Sequence, residues 1–175
     1  QALKIWEKII NFGKEFGLMP YGTETMHLLR AEKGYIIVGQ DTDGSITPLD
    51  LGLDWMIGKS KKDFLGKRSL IRSDTVRKDR KQLVGILPTN KNEKLEEGQH
   101  IILDKEIKTP TPMLGHITSC YQSPTLGHNF ALAVIKNGQS LIGTKAFAST
   151  PELKTIEVEI VEPIFYDKEN TKLAS

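Results

Sequence analysis

The sequence predicts an α+β fold, in which an α/β segment is followed by a small antiparallel β-barrel. Apolar residues near the beginning of the chain recur at three- and four-residue spacing, which is typical of an amphipathic helix. The second half instead contains short β-rich runs separated by turn residues, which is typical of a barrel or sandwich. Hydrophobic residues make up 38% of the 175 positions, so the chain can fill a core, and collagen-like and disordered classes are excluded.

Two helices are predicted in the first segment. The first begins at Gln1, where no residue precedes it as a cap, and Gly17 provides its stop. A helix that begins without a cap leads us to expect a chain cut from a longer protein. Thr23 is the candidate N-cap of the second helix, Glu24–Lys33, which Gly34 closes.

The connection to the barrel is predicted to be mostly irregular. Tyr35–Val38 is a short β-rich run, and Gly39–Gly44 is a loop because Asp and Gly at this density favour turns. One further helix is expected over Gly66–Asp74.

The barrel is predicted from six short runs. One of them, Thr155–Val161, alternates polar and apolar residues, as a half-buried strand does. Asn137-Gly138 is a tight-hairpin signal and predicts a hairpin between the strands on either side of it. The six predicted strands are Leu83–Leu87, His100–Leu103, Leu114–Thr118, Phe130–Ile135, Leu141–Phe147 and Thr155–Val161.

Basic residues are concentrated in one stretch, Lys59–Lys81. It holds ten of the 24 Lys and Arg residues and three acids, a local charge of +7 in a chain of net charge +2. Such a stretch attracts phosphates, polycarboxylates or an acidic partner surface, or is a solvated face. Nucleic acid is not an expected partner, because single-strand binders interleave aromatic residues and this stretch contains only Phe64. No apolar run approaches a membrane span, and the single cysteine suits a reducing, cytoplasmic compartment.

Short motifs in the chain do not complete a catalytic or metal site. Gly58-Lys59-Ser60 resembles the end of a phosphate-binding loop, but the glycine needed earlier in that loop is displaced by one position. Asp41–Gly44 resembles the start of a calcium loop, but Gly52 stands where the bidentate acid is needed. Cys120 is interpreted as a small buried cysteine at a strand end rather than as a nucleophile. No metal is expected, because metal-ligand spacing is absent from the histidines, which are His27, His100, His116 and His128.

Three segments together resemble a known family, in the same order and at similar spacing over most of the chain. They are Gly17–Gly22 with Leu29–Gly34, then Gly39–Asp43 with Thr47-Pro48, Leu53–Trp55 and Asp63–Lys67, and finally Gly115–Ser119 with Ser123–Gly127 and Phe130–Ala133. The family is that of the folate-binding aminomethyltransferases, which includes the glycine cleavage T-protein. The resemblance implies that residues 1–81 are the C-terminal part of an incomplete folate-binding α/β domain, that 82–167 are the family's β-barrel, and that 168–175 are a polar tail.

A narrower resemblance exists within that family. Tyr21–Glu24, Met26-His27, Leu29–Asp43 and Asp79–Gly85 are similar to the α subunits of heterotetrameric sarcosine oxidases. This likeness implies that the chain is the C-terminal portion of a larger subunit, whose partners are its own upstream half and the other oxidase subunits. It implies tetrahydrofolate as the cofactor of this fold, with FAD, FMN and NAD in the complete complex but not bound by this chain.

The function implied by the resemblance is oxidative demethylation of sarcosine to glycine, with transfer of the one-carbon unit to tetrahydrofolate. The family's catalytic acid belongs to the first half of the fold, so no catalytic residue is assigned here and the 175 residues alone are expected to be inactive. A freestanding aminomethyltransferase is the alternative enzyme, disfavoured because Met26 replaces an arginine of the family's helix motif. A folate-binding or assembly module without catalysis is the other alternative, disfavoured because the only cysteine, Cys120, lies in the barrel.

The resemblance marks six residues as candidates for folate binding, each with a structural alternative. Arg30 offers a bidentate fork for a carboxylate, or pairs with Glu32 or Asp41 to brace a loop. Asp41 fixes the Gly39–Gly44 turn or contacts the ligand. Trp55 stacks on a flat ring or lies in the core. The other three, which lie at the channel edge or have turn-packing or surface roles, are Tyr21, Glu24 and Tyr121.

Three lysines of the basic stretch are candidates for binding a folate tail or another subunit. Lys59, Lys61 and Lys62 attract the polyglutamate tail of a folate, or they contact another oxidase subunit. Attraction of a polyanionic tail weakens as salt rises, because mobile ions screen exposed charges. Both roles remain open at the level of sequence.

Overall fold

A closed antiparallel barrel carries two helices and a long irregular segment on its outside. The structure is a computed structural model that describes residues 1–107 and 110–172. The barrel order is β1-β4-β3-β2-β5-β6, with β6 returning to β1, and every pairing is antiparallel. The elements are α1 (Ala2–Gly13), α2 (Thr23–Glu32), β1 (Lys81–Pro88), β2 (His100–Ile102), β3 (Gly115–Ser123), β4 (His128–Lys136), β5 (Lys145–Ser149) and β6 (Thr155–Val161).

Both predicted helices are confirmed, with one correction at a cap. A short 3-10 turn follows α1, and Gly17 ends it in the left-handed region at φ 69°. The N-cap of α2 is Gly22 in extended conformation, so Thr23 is the first helical residue and not the cap. Gly34 follows α2 at φ 74°, and a Cβ there would lie 2.5 Å from the carbonyl oxygen of Pro163. A side chain at this position therefore meets both backbone strain and a backbone clash.

The segment between α2 and the barrel has less regular structure than predicted. The β-rich run Tyr35–Val38 does not form a strand with a partner in the described part of the chain, where an isolated bridge joins Val38 to Thr42. Ile36 instead packs on the outside of the barrel, so its apolar character reflects burial and not strand pairing. The helix predicted over Gly66–Asp74 is a short 3-10 turn, Lys67–Ile71, whose residues are mostly exposed and offer no apolar face to bury.

The core lies on both faces of β4. Ala131, Ala133 and Ile135 point into the barrel and pack with Val84, Ile117 and Val158. The alternating residues Phe130, Leu132 and Val134 form a second, outer cluster with Ala31 of α2. A strand that is buried on both faces appears in the sequence as a continuous apolar run, and His128–Lys136 contains such a run.

The predicted Asn137-Gly138 hairpin is wrong, although Asn137 does adopt the left-handed region at φ 54°. The strand before it, β4, pairs with β1 and β3, whereas β5 pairs with β2 and β6. The chain crosses the end of the barrel in a 3-10 turn, Gly138–Leu141, so the strand predicted at Leu141–Phe147 is found at Lys145–Ser149. Gly138 passes so close to β1 that an added Cβ would lie 2.7 Å from Val84.

Candidate functional site

A buried carboxylate joins the α/β segment to the barrel. Asp41 is 1% exposed. Its Oδ1 accepts hydrogen bonds from Thr118 Oγ1 at 2.5 Å and Ser119 Oγ at 2.7 Å. Its Oδ2 accepts from Arg30 Nη1 at 2.5 Å and from the backbone N–H of Ile37 at 2.9 Å. We call Arg30, Asp41, Thr118, Ser119 and Tyr121 the Asp41 cluster.

Arg30 is occupied by partners within this cluster. Its Nη2 donates to Ser119 Oγ at 2.8 Å and to Tyr121 Oη at 3.2 Å, and Nη1 also donates to the carbonyl oxygen of Tyr35. Of the two bracing partners considered from sequence, Asp41 is the one present, because Glu32 accepts a hydrogen bond from Ser123 instead. The guanidinium is thus held in place as a brace between α2, the loop and strand β3.

A β-bulge in β3 makes the cluster possible. Consecutive side chains of a regular strand point to opposite faces. The pairing of β3 with β4 shifts between Ile117 and Ser119, so Thr118 is the extra residue. Thr118 and Ser119 can then both reach the same carboxylate oxygen. Neither residue was predicted as a site residue; the available signal was two consecutive polar residues, Thr118 and Ser119, next to Ile117 at the end of a predicted barrel strand.

Trp55 lies on an open cleft and not in the core. The indole is 72% exposed. The cleft has a volume of about 700 Å³, which is within the usual range for small-molecule sites. Its walls combine apolar side chains with a few charged and amide groups. The lining residues are Lys33, Gly34, Tyr35, Leu51, Gly52, Leu53, Trp55, Leu83, Gln139, Ile142, Glu162, Pro163, Ile164, Lys168 and Asn170.

The structure brings only some of the predicted site residues together. Arg30, Asp41 and Tyr121 belong to the Asp41 cluster, where Tyr121 also packs against Phe130. Trp55 is on the cleft, and the cluster residues are not among those that line it. Tyr21 and Glu24 are exposed: Tyr21 precedes α2 and Glu24 lies in its first turn.

The lysines of the basic stretch are exposed except for the half-buried Lys81, and one of its arginines, Arg80, is buried. Lys59, Lys61 and Lys62 lie in irregular chain before the 3-10 turn. Lys59 lies 3.9 Å from Asp54, an exposed pair of little energetic weight. Arg80, by contrast, is buried and forks onto Asp50, so it serves the fold and not an external anion.

Asp50 and Arg80 form a second buried ion pair. The Nε and Nη2 of Arg80 donate to the Asp50 carboxylate at 2.9 and 2.7 Å, and Thr47 donates twice more at 2.8 Å. Burial of the carboxyl opposes its ionisation, but these hydrogen bonds outweigh burial and hold the pKa of Asp50 below its ordinary value. The pair fixes the loop before β1 to the barrel wall.

A thiolate nucleophile and a metal site with three or more side-chain ligands find no support in the described residues. Burial and the nearby Glu97 raise the pKa of the Cys120 thiol to about 11, so this cysteine is not a thiolate nucleophile at neutral pH. Within residues 1–107 and 110–172, no group of three or more His, Cys, Asp or Glu side chains is arranged to hold a metal ion. No helix in the same ranges is long and apolar enough to cross a membrane.

Two family models match the chain. The GCVT N-terminal domain matches residues 1–61, and the glycine cleavage T-protein C-terminal barrel domain matches residues 81–167. Among curated relatives, the sarcosine oxidase α subunit of Corynebacterium sp. (strain P-1) is 47% identical over 98% of the chain. The corresponding subunit of Rhizobium meliloti (strain 1021) is 34% identical over 97% of it. The aminomethyltransferase of Clostridium botulinum (strain Kyoto / Type A2) is 33% identical over 95%.

The chain spans only part of each of these relatives. It covers 18% of the Corynebacterium subunit, 17% of the Rhizobium subunit and 43% of the Clostridium aminomethyltransferase. Among solved structures, glycine cleavage system aminomethyltransferase T from Bartonella henselae superposes on 81% of this chain and 38% of its own, with a TM-score of 0.66 and 21% identity. That likeness is one of fold.

Proposed function

The chain belongs to the glycine cleavage T-protein (aminomethyltransferase) family, and from this premise we propose that it is the tetrahydrofolate-binding C-terminal part of a sarcosine-oxidising α subunit. The observation that carries the proposal is identity along the whole chain. It reaches 47% with a sarcosine oxidase α subunit and 33% with an aminomethyltransferase, over nearly the same residues. A freestanding aminomethyltransferase is the alternative.

The proposed reaction is oxidative demethylation of sarcosine to glycine, in the cytoplasm, with the two electrons accepted by a flavin that another part of the complex holds. Tetrahydrofolate supplies N5 and N10 as acceptors of the one-carbon unit. FAD, FMN and NAD are assigned to other parts of the complex. This chain contributes binding and positioning, and the 175 residues alone are expected to be inactive.

The residues that line the cleft fit a folate in chemical type. Trp55 and Tyr35 offer aromatic faces for a flat ring, and Leu51 and Leu83 provide apolar walls. Lys33 is committed to Asp167, as Lys168 is to Glu162, so a folate carboxylate would have to compete with these pairs. We assign ring stacking to Trp55, and positioning of the fold around the site to Arg30, Asp41 and Tyr121.

The same proposal assigns roles to Tyr21 and Glu24, to the two domain ranges and to helix α1. Tyr21 and Glu24 are assigned to the channel edge at the start of α2. Residues 1–81 form the end of the folate-binding α/β domain, 82–167 the barrel domain and 168–175 a tail, of which 173–175 lie outside the described residues. Helix α1 and the 3-10 turn after it expose apolar side chains that suit contact with the rest of the subunit; they are Leu3, Ile5, Trp6, Ile9 and Phe12 of the helix and Phe16 of the turn.

The test uses the complete subunit assembled with its partners. Sarcosine is added with and without tetrahydrofolate, and glycine, formaldehyde and methylenetetrahydrofolate are measured. We expect glycine in both cases, with the one-carbon unit recovered on folate when folate is present. Absence of sarcosine consumption, with activity in the glycine cleavage reaction, would favour the aminomethyltransferase alternative. Folate binding with neither activity would favour a non-catalytic module.

Trp55→Ala is expected to weaken tetrahydrofolate binding by about 5- to 150-fold, because stacking of a flat ring on an aromatic side chain contributes about 1–3 kcal/mol. Because the indole is mostly exposed, the melting temperature should stay unchanged. Calorimetric titration of the complete subunit measures the affinity. Met56→Ala changes an exposed neighbour as the control, and Trp55→Phe should retain most of the binding. A large loss of stability in Trp55→Ala would contradict the stacking role.

Reversing the charges of Lys59, Lys61 and Lys62 to Glu tests the polyglutamate role. If these lysines attract the tail, the complete subunit should lose about tenfold or more affinity for polyglutamyl folate, and little for monoglutamyl folate. The matched control reverses three exposed lysines of the α1 region, Lys4, Lys8 and Lys14. Equal losses for the two folates would refute the tail role, and impaired subunit assembly would favour the intersubunit contact.

A further inference from the structure

Two histidines that are far apart in sequence stand directly opposite each other on the barrel. His100 of β2 pairs with His116 of β3. The N–H of Ile117 donates to the carbonyl oxygen of Gln99 at 2.9 Å, beside the pair. This pattern makes His100 and His116 a non-hydrogen-bonded pair, in which the Cα atoms lie about 4.5 Å apart and the side chains are at their closest.

Both imidazoles lie on the outer face of the barrel. The next residues, Ile101 and Ile117, belong to the inner core, so the alternation of the strands places the histidines outside. His100 is exposed and His116 is half-buried, which leaves the pair open to solvent. Lys81 and Asp43 are the other charged groups that act on His116, with opposite signs.

We propose that His100 and His116 together bind one divalent transition-metal ion, such as Ni²⁺, Zn²⁺ or Cu²⁺, with water in the remaining positions. Imidazole nitrogen is a ligand that all three ions accept, at about 2.0–2.1 Å for Zn²⁺. Two rings on adjacent strands at this separation can direct one nitrogen each toward a shared ion. Asp43 favours a cation at this place, and Lys81 opposes it. The site is independent of folate binding.

The test is a calorimetric titration of Ni²⁺ into the full 175-residue chain. We expect one saturable site, which His100→Gln and His116→Gln each weaken by about tenfold or more. His27→Gln is the matched control, because His27 is a half-buried histidine on α2 that is not part of the pair. Lys81→Gln should strengthen binding by a few-fold, since it removes the opposing charge.

The outcomes separate the proposal from adventitious binding. Retention of wild-type affinity by His100→Gln would overturn it, and this variant changes a side chain that is exposed and not packed in the core. A loss of affinity in His27→Gln equal to that in the paired variants would overturn it as well. Circular dichroism of each variant confirms that the barrel is intact.

Discussion

Asp41→Asn should lower the free energy of unfolding by about 3–5 kcal/mol, the cost of breaking a buried ion pair from one side. The asparagine keeps the size of the side chain but removes the negative charge opposite Arg30. It also replaces one carboxylate oxygen, which accepts two hydrogen bonds, with an amide NH2 group, which can only donate. Because the carboxylate connects α2, the loop and β3, this one change weakens three connections together. Urea unfolding measures the loss.

The control for this variant lies two residues further along the chain. Asp43 is exposed and accepts hydrogen bonds from its own turn, from Ser45 and from the backbone N–H of Ile46, so Asp43→Asn should cost under about 1 kcal/mol. A second variant separates charge from packing. Adding Arg30→Met to Asp41→Asn removes the uncompensated guanidinium and should recover part of the loss. If Asp41→Asn lowers the free energy of unfolding no more than Asp43→Asn does, the Asp41 cluster does not hold the α/β segment to the barrel.

Much of the fold could be predicted because its signals are local. Helical spacing predicted the first helix, cap and stop residues predicted the second, and turn residues separated most of the strands. The errors occurred where tertiary context decides the outcome. Asn137-Gly138 is a hairpin signal, but whether neighbouring strands pair depends on which partners close the barrel. Tyr35–Val38 has the composition of a strand, but one of its apolar residues, Ile36, packs against the outer face of the barrel instead of pairing in the sheet.

The candidate site was predicted only in part, for a related reason. Arg30 and Asp41 are eleven residues apart, and their pairing was among the sequence alternatives. Their partners Thr118 and Ser119 lie 77 and 78 residues from Asp41, and their shared orientation depends on a one-residue register shift. A single sequence gives no register, so it cannot place a bulge. The pairing of His100 with His116 was hidden in the same way.

Asp50→Asn is the other variant with a large expected effect, again about 3–5 kcal/mol at neutral pH. Arg80 forms two ion pairs, one with the buried carboxylate of Asp50 and one with the exposed carboxylate of Asp74. Arg80 also donates to the carbonyl oxygen of Ser45. Removal of the Asp50 charge leaves a buried guanidinium whose remaining charged partner among the described residues is the solvated carboxylate of Asp74. Asp74→Asn changes the same arginine's exposed contact, where the carboxylate side chain is 68% accessible, and should cost under about 1 kcal/mol.

The pH dependence of the Asp50→Asn effect distinguishes an ion pair from simple packing. The pKa of Asp50 in the folded protein lies below its ordinary value of 3.8, so the unfolded chain binds a proton more readily than the folded one. The charge of Asp50 therefore contributes stability above pH 3.8, and this contribution is lost as the pH falls through the lower, folded pKa. The gap between wild type and Asp50→Asn should be constant near neutral pH and narrow in this acid range. A gap that stays constant down to the acid transition would mean that Asp50 acts through its shape alone.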